Sequence, residues 1–186
     1  MNREELQAIS KSEIPQLASK LGKADVCFLI EMLSEKEDAV RYNSFLLLQN
    51  NSLESPYTYE HWDELEQKMG SDNSYQRSIG LMLIAKNVRW DKEGKFEKAL
   101  NRYLKCCADE KFITARQAIQ GIATIVKATG KYNEKIEKSL RNLQLIGIHR
   151  RLANASDFCF GRQNAAQPSQ RAGCFDGRAA FIYIWS

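Results

Sequence analysis

Three arginines, Arg41, Arg77 and Arg116, recur at spacings of 36 and 39 residues, and each follows an aspartate (Asp38, Asp72, Asp109) within a turn or two. On a common face they would form a ladder of guanidinium forks able to meet phosphates or carboxylates. The competing role is architectural: each arginine pairs with an aspartate of its own or the next repeat and ties the two together. Tyr42, Phe45 and Tyr75 fall beside the first two arginines. Their rings can hold a peptide or stack on bases, or they can pack between helices.

Two Trp-Asp pairs, Trp62-Asp63 and Trp90-Asp91, place an indole next to a carboxylate, a combination that can hold a cationic base. Against that, Trp62 shares an apolar stripe with Leu65 and Met69, and neighbours on a helix point about 100° apart. His61 and His149 lie far apart, and no His or Cys pair has metal-ligand spacing, so no metal is expected. There is no glycine-rich phosphate loop after a strand and no Gly-x-Ser-x-Gly nucleophile motif. Glu60, Asp63, Glu64 and Glu66 read as a solvated helix face. The expectation is a protein without catalytic residues or cofactor, and not an enzyme.

The elements that would position the arginines follow from apolar periodicity. Residues 3–22 read as one capping helix or two short ones, with Ser12 a candidate cap and Pro15 tolerated in a first turn. Residues 24–33 and 39–50 form a first helix pair, and 50–56 a loop rich in Asn and Ser. A second pair starts near Thr58, turns at residues 70–73, is capped by Asn73 or Ser74 and runs to about Val88. Gly80 in its interior costs up to ~1 kcal/mol against alanine, a cost usually offset by close packing. The third pair occupies about 95–107 and 113–128, ended by Thr129-Gly130. Tyr132, Ile136, Leu140 and Leu143 mark one more helix. A period of 36 to 39 residues is the mark of stacked helical pairs, none of which can bury its apolar face alone.

Composition sets the outer bounds. The 186 residues carry a net charge of +4. Residues 1–146 hold 22 Lys and Arg against 21 Asp and Glu. Bulk charge therefore does not call for a nucleic-acid partner, unless charges segregate by face. The five cysteines include one adjacent pair and make a poor disulfide framework, which suits reduced thiols in the cytoplasm. The N-terminal residues show no apolar h-region, and no run of ~18 apolar residues occurs, so neither secretion nor a membrane partner is expected. Residues 147–186 change character: they contain no lysine or glutamate and end on Phe181-Ile182-Tyr183-Ile184-Trp185. They form a separate tail, either a cover for the last repeat or, the favoured reading, non-native sequence such as a frame-shifted or vector-derived end. Mass spectrometry of the native C-terminus distinguishes the two.

The stretch from Asn73 to Asp91, with Ile113-Thr114-Ala115-Arg116-Gln117, resembles HEAT repeats. It is similar to small bacterial HEAT-like proteins, some labelled SufBD-like for iron–sulfur assembly. No Cys-x-x-Cys spacing supports that label here. The resemblance covers about residues 20–146 and implies an all-α fold, a right-handed α–α superhelix of the HEAT/armadillo type. It implies that second helices line a concave face, on which Arg41, Arg77 and Arg116, with Tyr42, Phe45 and Tyr75, are the candidate contacts. The expected function is a non-enzymatic module that binds a protein or peptide there. The alternative is a nucleic-acid-binding solenoid related to HEAT-like DNA-alkylation glycosylases.

Overall fold

The apolar stripes fold as helices throughout residues 1–145, which the computed structural model describes; the tail expected over 147–186 lies outside the described residues. Helices α1 (Arg3–Ala8) and α2 (Ile14–Ala18) open the chain. The Asn2 side chain accepts from the Glu5 amide at 2.8 Å while the Glu5 carboxylate accepts from the Asn2 amide at 2.9 Å. This reciprocal capping box fixes the start of α1. Pro15 sits in the first turn of α2, but Ser12 does not cap it; Glu13 takes the N-cap position.

The longer helices are α3 (Lys23–Met32), α4 (Asp38–Glu54), α5 (Trp62–Met69), α6 (Ser74–Asn87), α7 (Lys95–Lys105), α8 (Phe112–Ala128) and α9 (Asn133–Leu145). Single 3-10 turns at Tyr59–His61, Val88–Trp90 and Cys106–Ala108 complete the order, and no strand occurs among the described residues. No described helix is long and apolar enough to cross a membrane.

One boundary departs from the sequence reading. The expected loop at 50–56 is mostly helix, because α4 continues through Glu54. Tertiary bonds outweigh the low helix propensity of the Asn-Ser run. Asn51 and Ser52 are buried. The Asn51 amide donates to the Ala18 carbonyl at 3.0 Å, and Asn87 donates to the Ser52 hydroxyl at 3.0 Å.

The second helices α4, α6 and α8 pack side by side in that order, with α1 and α2 against the free flank of α4. The first helices lie behind them: α3 against α4, α5 against α6 and α7, and α7 against α8 through the Tyr103 hydroxyl, which donates to the Ala118 carbonyl at 3.3 Å. One apolar core runs through the stack, from Leu6 and Val26 through Trp62 and Phe96 to Ile136. Trp62, Phe96 and Tyr103 meet edge-on, with centroids 6.4 and 5.7 Å apart.

Asp91 holds the second pair to the third. Its carboxylate accepts from the Lys95 and Phe96 amides at 3.0 and 2.8 Å, closing the start of α7, and from the Tyr59 hydroxyl at 2.9 Å. Burial, then the neighbouring Asp91 charge, pushes the Tyr59 phenol far above its ordinary value. Asp91→Ala removes a cap and leaves a buried hydroxyl unpaired. A loss of about 2–3 kcal/mol is expected, read as a melting point lowered by roughly 5–10 °C. Asp91→Asn, which keeps one acceptor oxygen, should recover part of it.

Candidate functional site

Each arginine of the ladder leaves a second helix in its first turn or two, and the first two are held alike. Arg41 donates from Nη1 to the carbonyls of Glu35 and Lys36 at 2.7 and 3.4 Å. Arg77 donates from Nη1 to the carbonyls of Ser71 and Asp72, both at 2.9 Å. In both cases the acceptors lie six and five residues upstream, so each guanidinium closes the turn that precedes its own helix. Each also reaches the next second helix or the turn before it. Arg41 stacks on the Tyr75 ring at 4.4 Å and pairs with Asp38. Arg77 grips Asp109 with two parallel bonds of 2.8 and 2.9 Å, the fork geometry that suits guanidinium and carboxylate. Arg41 and Arg77 thus bind within and between helix pairs. Arg116 is half-buried near the start of α8 and makes no ion pair among the described residues.

The aromatic candidates divide likewise. Phe45 is a core side chain of α4, only 2% exposed, and so leaves almost no surface to a partner. Tyr42 and Tyr75 are half-buried on the outer side of α4 and α6, and burial raises both phenols. Lys11 lies over the Tyr42 ring at 5.6 Å.

The Trp-Asp pairs serve the fold. Trp62 is 1% exposed, Trp90 donates from its indole to the Ser52 carbonyl at 2.8 Å, and Asp91 is committed to α7 and Tyr59. No group of three or more His, Cys, Asp or Glu side chains could hold a metal ion among the described residues. Burial first, then the Cys106 neighbour, pushes the Cys107 thiol up to about 12, too high for a useful thiolate.

Helical geometry gives the second helices a shared outer face, opposite the first helices. On α4 it carries Tyr42, Leu46 and Gln49; on α6, Tyr75, Met82 and Lys86; on α8, Arg116, Gln120 and Lys127. Its charge is one-sided. Neither α6 nor α8 contains a single Asp or Glu. Apart from Arg77–Asp109, the ion pairs between successive helix pairs lie on the first-helix side, as in Lys23–Glu60, Arg102–Glu66 and Lys131–Glu97. Lys86 is half-buried; desolvation, and then Arg89 and Lys127, lower its pKa. The sequence reading missed Lys86, Arg89 and Lys127. The signal was present, since segregation appears once charges are counted by element rather than over the chain.

An open groove of about 570 Å3 lies on the opposite side, between α3 and α5. Lys68 crosses it to donate to the Ser34 hydroxyl and the Gln76 amide oxygen at 2.8 and 2.9 Å, and Gln76 donates to the Leu33 carbonyl at 2.9 Å. These bonds tie α5 to its neighbours, and burial lowers the Lys68 pKa.

No family model, curated protein or solved structure matches the chain.

Proposed function

We propose that this protein is a non-enzymatic interaction module of the HEAT type, a right-handed superhelix of helical pairs that takes a protein or peptide segment along the concave face of its second helices. The carrying observation is that three consecutive second helices present one outer face whose charges are cationic on α6 and α8 with no carboxylate on either helix. A face shaped only for solubility would intersperse both signs, as the first-helix side does. Arg41 and Arg77 fix the repeats in register, and Tyr42, Tyr75 and Arg116 supply contacts. The reading places the protein in the cytoplasm. The same cations favour a second reading, a nucleic-acid-binding solenoid, which the near-neutral body of the chain opposes.

The test is positional. A photo-crosslinking residue is placed singly at Gln49 or Gln120 on the second-helix face, or at Lys98 or Asn101 on exposed positions of α7. Each variant is first shown to melt as the parent does, then irradiated in native lysate. Discrete adducts at Gln49 and Gln120 and none on α7 are expected. Adducts confined to α7 would overturn the assignment of the face.

A further inference from the structure

The face proposed above ends in a short basic row, and what lies in that row specifies a partner. Lys86 stands in the last turn of α6, Arg89 in the 3-10 turn that follows, and Lys127 in the last turn of α8. The Val88–Trp90 turn packs on α8 and α6 packs beside it, which brings the three cations together. Arg89 is anchored: Nη1 donates to the Leu53 carbonyl at 3.2 Å, and the guanidinium lies 5.9 Å from the Trp90 ring. Leu53, 46% exposed at the end of α4, adjoins the row, with Val126, 40% exposed, beside Lys127. A helix C-terminus favours a cation in its last turn, which accounts for one lysine on each helix. It does not account for two further cations, Arg89 and Lys127, converging on a desolvated Lys86 with no carboxylate among the described residues acting on it.

Resting on the interaction-module reading, we infer that this row binds an extended acidic peptide, with an apolar side chain on Leu53 and two or three carboxylates over Arg89, Lys86 and Lys127. Charge complementarity sets the chemistry, and the row's length sets the size. Packed helices lie 8–10 Å apart, so crossing from α4 to α8 takes roughly 16–20 Å. At ~3.3 Å per residue, about six extended residues span it. A nucleic-acid duplex fits less well. Its phosphates demand a continuing basic tract, whereas this row stops at Leu53 with Glu54 next to it. The chain's own residues 147–186 hold five arginines and two aspartates, the wrong sign for this occupant.

The probe is a fluorescein-tagged peptide, Leu-Gly-Asp-Glu-Gly-Asp-Glu-Ser, with its counterpart carrying lysine at the four acidic positions. Anisotropy with the full chain at low salt is compared with that of an eight-nucleotide single strand and a 20-base-pair duplex. The acidic peptide should bind at least tenfold more tightly than the lysine peptide and than either DNA. K86Q/K127Q should weaken it at least tenfold, and K86E/K127E should invert the preference. K127Q alone, on an exposed position, should weaken it about threefold without moving the melting point. Equal binding of both peptides, tighter binding of DNA, or indifference to K86Q/K127Q would overturn the proposal. Crosslinks at Gln49 and Gln120 in chains with Lys86 and Lys127 intact would then leave the module reading standing; their absence there would remove both.

Discussion

Gly80→Ala is expected to lower the melting point by about 2–8 °C. The direction is opposite to what helix propensity alone gives, since alanine in a helix interior gains up to ~1 kcal/mol over glycine. The loss arises because a Cβ at residue 80 would lie 2.5 Å from the Met69 nitrogen and 2.8 Å from the Leu65 carbonyl oxygen. Both are backbone atoms of α5, so no rotamer change relieves the contact; α6 must move off α5. Overpacking of this kind costs about 1–3 kcal/mol and occasionally more, and each kcal/mol moves the midpoint by roughly 2–4 °C in a chain of this size. Gly121 supplies the control. A Cβ there would meet the Tyr103 hydroxyl at 2.0 Å, the far end of a side chain. Gly121→Ala should therefore be partly rescued by Tyr103→Phe, whereas no single side-chain change should rescue Gly80→Ala. Calorimetry of the four variants checks the claim, and a Gly80→Ala midpoint equal to the parent's would show that α5 and α6 are not in backbone contact.

That contact also marks how far the sequence could be read. A glycine in mid-helix announces a close approach because its cost has to be offset, and Gly80 announced this one. The helix pairs were legible for the same kind of reason: stripes such as Phe96, Leu100, Tyr103 and Leu104 each repeat at helical spacing, and all four are buried. The continuation of α4 through Glu54 was not legible. Asn50, Asn51 and Ser52 look like turn residues, and only their distant partners, the Ala18 carbonyl and Asn87, make them helical. Whether a polar residue ends a helix or anchors it depends on what packs alongside, which local sequence does not encode.

The site divides along the same line. The spacings of 36 and 39 residues located the arginines but left their roles open, because an arginine near an aspartate reads the same whether it binds a partner or a neighbouring turn. Carbonyls six and five residues upstream give Arg41 and Arg77 a part in closing the preceding turns, and that geometry exists only once the turns are built. Lys86, Arg89 and Lys127 went unnoticed because they are ordinary surface residues one at a time. Their meaning comes from the packing of α6 on α8.

Arg77 should be the costliest of the three arginines to lose. The Arg77 and Asp109 side chains are 17% and 11% exposed, and the pair joins α6 to the turn before α8. Arg77→Ala strands a nearly buried carboxylate and frees the carbonyls of Ser71 and Asp72. Breaking one side of a buried pair costs about 3–5 kcal/mol; the residual exposure here brings the expectation to roughly 2–4 kcal/mol. Arg77→Lys should recover little, since a single ammonium cannot serve two carbonyls and a bidentate carboxylate together. Arg116→Ala, with no ion pair to lose, should stay within about 0.5 kcal/mol. The pH dependence gives an independent signature. Burial alone would raise the Asp109 carboxyl, but the Arg77 hydrogen bonds, the Lys111 amide and the Arg77 charge outweigh it, so its pKa is lowered. A carboxyl depressed in the folded state contributes stability that is fully present above its unfolded value of about 3.9 and is lost as pH falls through the lower folded value. Melting points of the parent should therefore drop on acidification below about pH 4, and Asp109→Asn should show a shallower drop from a lower starting point. In Arg77→Ala the lowering forces from the guanidinium are gone and burial remains, so the Asp109 pKa should rise and destabilisation should set in at higher pH. An Arg77→Ala protein that melts as the parent does across this range would mean that the fork to Asp109 does not hold α6 to the turn before α8, and would favour a binding role for Arg77.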